Sequence, residues 1–113
     1  MKISELAKEL NLTVLTKPDN LAREISGGYA SDLLSNVMAQ TKQDQIWVTI
    51  QAHQNIVAVA SLINLSGIIL AGDTLPDEKT IDKANEEDII ILGTKLSAFE
   101  IIGQMYKLGI YGE

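Results

Sequence analysis

The residues best suited to chemistry in this sequence of 113 amino acids fall in three polar segments, each placed directly after a short apolar run. They are Gln51-Ala52-His53-Gln54, Gly72-Asp73-Thr74, and Gly93-Thr94-Lys95 with Ser97. If the apolar runs are parallel strands, the segments lie beyond the strands' carboxyl ends, where open α/β sheets hold their ligands. A helix that opens straight after such a loop presents unpaired backbone N–H groups and the positive end of its dipole, which suits a phosphate or a carboxylate. Gln51, His53, Asn55, Gly72, Asp73, Thr74, Gly93, Thr94 and Ser97 therefore form the candidate ligand-binding set, for a small anionic or nucleotide-like metabolite. The same residue types also serve as ordinary turn and cap residues in any α/β protein.

His53 is the only histidine, and so the only side chain whose ordinary pKa lies near neutrality. Asp73 is either a ligand contact, such as a magnesium carboxylate, or a cap for the helix behind it. Together they define one alternative, a small transferase or hydrolase with His53 as base and Asp73 holding a metal. The parts of the common enzyme classes are absent. There is no G-x-x-x-x-G-K-[ST] phosphate loop and no G-x-G-x-x-G after a strand, so kinase and dinucleotide chemistry have no support. One histidine without cysteine cannot build an ordinary zinc site or a Cys-His pair. Ser31, Ser61, Ser66 and Ser97 lack a G-x-S-x-G context. The expectation is a non-catalytic module without a cofactor.

The elements that must carry these loops alternate between strand and helix, which predicts an α/β domain with a largely parallel sheet. Ile3, Leu6, Ala7 and Leu10 repeat at helical spacing and Asn11 ends that helix. Thr13 to Thr16 is extended, Lys17-Pro18-Asp19-Asn20 is a turn, and Arg23 to Ser26 is extended again up to Gly27-Gly28. Ser31 is the expected cap of the next helix, with Asp32 in its first turn and Leu33, Leu34, Val37 and Met38 as its buried stripe. Ile46 to Ile50 reads as a central strand, Asn55 as the cap of a helix burying Ile56, Val59, Ala60 and Ile63, and Gly67 to Ala71 as the next strand. Pro76 with Asp77 and Glu78 opens a helix poor in apolar residues that runs to about Asn85. Glu86-Glu87-Asp88 reads as a solvated run before the last strand, Asp88 to Leu92. Ser97 and Glu100 form an S-x-x-E capping box for a final helix whose Ala98, Ile101, Ile102 and Met105 face the core. The tail from Gly109 to Glu113 is expected either to fray or to cover a neighbouring subunit.

Composition narrows the class further. A length of 113 residues with 46% hydrophobic and 21% charged residues fits one folded domain over residues 1–113. The absence of cysteine suits a reducing cytoplasm. The opening MKISELAKELNL is no signal peptide, and no apolar run approaches the ~20 residues of a membrane span, so no membrane partner is expected. A formal net charge of −6 repels phosphate backbones. The first helix resembles half of a helix-turn-helix, but Val14-Leu15-Thr16-Lys17-Pro18 is extended and broken by proline where the recognition helix belongs. Nucleic-acid binding is therefore not expected. A mean hydropathy of +0.12 leaves apolar surface to spare, from which a homodimer is expected. The helix from Pro76 is too polar to form its interface.

Taken together, Ile25-Ser26-Gly27-Gly28-Tyr29-Ala30-Ser31-Asp32-Leu33-Leu34-Ser35, the strand ending at Gln51, Ala71-Gly72-Asp73 and Asp88-Ile89-Ile90-Ile91-Leu92 resemble the DRTGG domain family over nearly the whole chain. That family is similar to the N-terminal domain of HPr kinase/phosphorylase. It also occurs joined to CBS domains and within long phosphotransacetylases, and stand-alone versions resemble regulators associated with iron-only hydrogenase systems. The resemblance implies a three-layer α/β/α fold with a mostly parallel sheet and a regulatory or ligand-sensing role. It also implies a further alternative, a protein-interaction regulator of a hydrogenase or kinase enzyme partner that takes no small ligand. The sequence departs from the family's naming motif, with Ala52-His53 in place of the DR pair and Ala71-Gly72-Asp73 in place of TGG.

Overall fold

A computed structural model describes residues 1–112. Five helices and five strands follow in the order α1 (Ile3–Glu9), β1 (Thr13–Val14), β2 (Gly27–Ala30), α2 (Leu34–Gln40), β3 (Gln45–Thr49), α3 (Asn55–Ile63), β4 (Gly67–Leu70), α4 (Glu78–Glu86), β5 (Ile91–Gly93) and α5 (Ala98–Lys107), alternating from β2 onward. The sheet runs β1-β5-β4-β3-β2, with β2 to β5 parallel and β1 antiparallel to β5. Every residue of β3, β4 and β5 is buried, as expected for parallel strands covered on both faces.

Side chains alternate across this sheet and supply two separate cores. Val48, Ile69 and Leu92 lie in one row of the register and pack with Ile3 and Leu6 of α1 and Ile101 and Met105 of α5. Trp47, Ile68 and Ile91 lie in the next row and pack with Val37 of α2, Ile56 and Ala60 of α3, and Ala84 of α4. The arrangement follows from connectivity. The parallel strands are laid down in order across the sheet, and crossovers of one hand place α2, α3 and α4 on the same face. Only α5, after the last parallel strand, crosses to the face of α1.

Several local expectations are corrected. Arg23 to Ser26 makes a single isolated antiparallel bridge, Glu24 with Lys2, and ladder pairing with β3 begins after it, at Gly27 against Gln45. Arg23 instead ties down the ends of other elements, its Nη2 donating to Asp44 Oδ1 at 2.9 Å and to Asn64 O at 2.6 Å. Ser31 does not cap α2, which starts three residues later; its Oγ accepts from Leu33 N in a local turn. Asp32 is not in the first turn of α2 but bonds to the end of β3. Leu33 is 64% exposed and Met38 43% exposed, so the buried stripe reduces to Val37 with half-buried Leu34. Ile50 lies past the end of β3 and is exposed. The last strand begins at Ile91 rather than Asp88, which takes a left-handed turn at φ 56°.

The tail does not fray over its described residues. Ile110 is buried, Tyr111 O accepts from Gly28 N at 2.8 Å, and Gly112 O accepts from Gln45 Nε2, so the chain covers part of its own β2 edge. A side chain at Gly27 would meet Tyr111 O at 2.8 Å, which explains glycine there. Glu113 lies outside the described residues. No helix among the described residues is long and apolar enough to cross a membrane.

Candidate functional site

The place where α5 departs to the opposite face determines where a ligand crevice can open. The loop after β4 turns towards α4 on one face, and the loop after β5 turns towards α5 on the other. Divergence of adjacent loops past the carboxyl ends of parallel strands is the usual position of a binding crevice in open α/β sheets. A cavity of about 100 Å³ lies there, lined by Thr13, Leu15, Asp73, Thr74, Leu75, Gly93, Thr94 and Lys95. Its far side comes from β1, whose Thr13 pairs with Gly93. Gly93 lacks the Cβ that would sit 3.2 Å from Leu15 Cδ1, so Leu15 can pass over the strand end.

The floor is built from backbone. Gly72 and Asp73 both take left-handed conformations, at φ 68° and 59°, a turn that glycine and aspartate tolerate best. The turn aims Gly72 N at Leu96 O, at 2.7 Å, and Asp73 N at Thr94 O, at 2.9 Å. The two diverging loops are thereby stitched together. These loop amides, which precede the helix start that the sequence offers to an anion, are satisfied within the chain.

The helix starts on the same rim are partly closed in the same way. His53 Nδ1 accepts from Asn55 N at 3.1 Å, and the next two amides of α3, on Ile56 and Val57, donate to His53 O and Gln54 O. Asn55 is thus the first residue of α3 and not its cap; His53 supplies the side-chain acceptor. Asp77 caps α4, its Oδ1 accepting from Thr80 N at 2.8 Å and from the Thr80 hydroxyl at 2.9 Å. Those bonds, the backbone one foremost, hold the Asp77 carboxyl below its ordinary value of 3.8, against the opposing effect of desolvation. Ser97 caps α5 by accepting from Glu100 N at 3.3 Å.

The residues that line the crevice carry the hydroxyls of Thr13, Thr74 and Thr94, the last accepting from Leu96 N at 3.2 Å, the Asp73 carboxylate and the Lys95 ammonium. Among the described residues neither Asp73 nor Lys95 belongs to an ion pair. Asp73, Thr74, Gly93 and Thr94 of the candidate set line the cavity, and Gly72 adjoins it through the turn. Gln51, His53, Asn55 and Ser97 do not line it. Gln51 belongs to a second cluster, where its Nε2 donates to Asp32 O at 3.2 Å while Asp32 Oδ1 accepts from Thr49 Oγ1 at 2.7 Å and Ile50 N at 3.0 Å. No hydrogen bond joins His53 to Asp73, and among the described residues no three His, Cys, Asp or Glu side chains gather as metal ligands. Thr13, Leu15, Leu75 and Lys95 were not in the set. Lys95 was visible in the sequence as the one cation in the three loops.

A family model for the DRTGG domain matches residues 5–108. The chain belongs to the DRTGG domain family. The positions Ala52-His53 and Ala71-Gly72-Asp73, where it departs from the naming motif, fall in the loops that follow β3 and β4. Among solved structures it is similar to the CBS and DRTGG domains of the regulatory region of a Clostridium perfringens pyrophosphatase, complexed with its activator diadenosine tetraphosphate. The TM-score is 0.74 at 13% identity, over 90% of this chain and 44% of that one. The likeness is one of fold, and the chain spans less than half the length of that regulatory region. No curated protein matches the chain.

Proposed function

We propose that this DRTGG domain is a non-catalytic, cytoplasmic regulatory module that senses a small anionic metabolite in the β4–β5 crevice, acts as a homodimer and transmits the signal to an enzyme partner. The observation that carries the reading is Lys95, a cation without an ion-pair partner among the described residues, set among threonine hydroxyls where two loops diverge. Volume limits the ligand. Pockets for drug-sized molecules occupy ~300 to 1,000 Å³, so a cavity of about 100 Å³ suits a phosphate or small carboxylate, or one phosphate of a nucleotide whose remainder lies outside. The nucleotide activator in the similar pyrophosphatase region supports a regulatory role of this kind.

The test is thermal unfolding of the protein with inorganic phosphate, pyrophosphate, nucleotides and small carboxylates. A ligand at a hundredfold over its Kd stabilises the folded state by about 2.7 kcal/mol, on the order of 10 °C in Tm for a domain of this size. The shift should vanish in Lys95→Ala and persist in His53→Ala; a shift lost with His53 and kept without Lys95 would return the small-transferase reading.

A second reading is favoured by the exposure of Leu33, Ile50 and Leu75 on loops of the same rim, since exposed apolar surface marks interaction sites. Here the rim docks directly on a regulated hydrogenase or kinase enzyme without a small ligand. A flat thermal screen together with co-purification of an enzyme that depends on those three residues would select it.

A further inference from the structure

Helix α5 carries an outward face that its own chain leaves largely uncovered, save that the Tyr111 ring lies 4.8 Å from that of Tyr106. Ile101 and Met105 are buried against the sheet. At 100° per residue the direction opposite them falls on Gly103, which is exposed and whose missing Cβ would meet nothing within 4 Å. Glycine in the interior of a helix costs stability relative to alanine, and nothing inside this molecule requires it. On one flank of Gly103 stand Phe99, which is 85% exposed, and Tyr106, also exposed. On the other flank stand Glu100 and Lys107, exposed and without an ion-pair partner among the described residues. Phe99 and Glu100 lie before the glycine; Tyr106 and Lys107 follow it at nearly equal distances, ~4.5 to 6 Å along the axis.

This spacing has the symmetry of an isologous contact. When two antiparallel helices face each other across a twofold axis, each flank meets the same flank of its mate, and residues before the centre meet residues after it. Centred on Gly103, such a pair sets Glu100 against Lys107 twice and Phe99 against Tyr106 twice. An apolar cavity of about 120 Å³ opens beside Tyr106, lined in part by Ile102, Ile110 and Tyr111. Such a pair would bring the Phe99 ring of the other copy to this cavity, while the glycine lets the two backbones approach. We propose that the occupant of this face is a second copy of the chain, docked α5 to antiparallel α5 about Gly103 with reciprocal Glu100–Lys107 ion pairs. The proposal rests on the homodimer part of the function above and names its surface.

Sedimentation of the full chain across ~1 to 100 μM tests it. The native protein is expected to sediment as a dimer. Glu100→Lys alone and Lys107→Glu alone should each weaken association by about tenfold in Kd, because each creates two like-charge contacts. The double variant E100K/K107E should recover the native affinity, which a merely structural role for either residue would not produce. Gly103→Arg should give a folded monomer, since a side chain there meets nothing in its own chain. A native protein that stays monomeric overturns both the dimer and this face. A dimer indifferent to Gly103→Arg, or single charge variants not rescued by the double, overturns the face alone.

Discussion

The two ends of the parallel strands are built by opposite rules. At the amino ends, charged side chains are tied to neighbours, although the buried Ser66 hydroxyl before β4 has no partner among the described residues: Arg23 Nη2 bonds Asp44 Oδ1, Asn64 O and Asn64 Oδ1, and Lys83 pairs with Glu87. Asp44, Asn64 and Asp88 each reverse the chain in a left-handed turn just before a strand, a conformation Asn and Asp accept at lower cost than other side chains. At the carboxyl ends the Gly72 and Asp73 amides are tied to the loop after β5, yet Lys95 and Asp73 have no ion-pair partner among the described residues and Leu33, Ile50 and Leu75 stay exposed. Closed polar networks position elements. Open charges and apolar side chains held on a fixed backbone are what a ligand or a partner can use.

Breaking the closed end should cost stability and nothing else. Arg23→Ala removes three acceptor contacts of a largely buried guanidinium, and hydrogen bonds to charged groups are worth about 1.5 to 3 kcal/mol. A loss of about 3 kcal/mol in chemical denaturation is expected, with the ligand-induced rise in Tm unchanged in size. A loss of ligand response in that variant would erase the distinction between the ends. Asp32→Ala sharpens it from the other side, because Asp32 sits at the open end but is used structurally, holding Thr49 Oγ1 and Ile50 N. Its removal should cost about 1 to 2 kcal/mol and leave the β4–β5 crevice responsive.

How much of this was legible in the sequence follows from how local each feature is. Strands β3 and β4 stand out because Ile46-Trp47-Val48 and Ile68-Ile69-Leu70 are apolar runs of strand length, the pattern of a strand buried on both faces. The cap Ser97 was readable because its acceptor bond spans three residues. Strand β2 was not, since Gly27-Gly28-Tyr29-Ala30 has no β-branched residue and its register is set by β3 and the tail. The loops of the candidate crevice could be named from the strand-end rule, but Thr13 and Leu15 could not join them: their place depends on antiparallel pairing with Gly93, far away along the chain. The same limit hid the fate of the Gly72 and Asp73 amides, whose acceptors come from the next loop. Asp32 read as a helix-start residue because a cap and a cross-strand anchor call for the same side chain.

The smallest expected effect concerns the caps that close the helix starts on the open rim. Asp77 caps α4 as an anion, and its carboxyl titrates below 3.8 because Thr80 N–H and the Thr80 hydroxyl favour the charged form. A folded pKa below the unfolded one contributes stability that is fully present above the unfolded value and is lost as pH falls through the folded one. Unfolding followed below about pH 4 should therefore show the native protein losing stability more steeply than Asp77→Asn, and the two curves should run parallel at neutral pH. Ser97, a neutral cap, supplies the control: Ser97→Ala should lower Tm by the same amount at every pH. Were the Asp77→Asn difference to persist undiminished at low pH, the cap would not depend on charge, and Asp77 would act as Ser97 does.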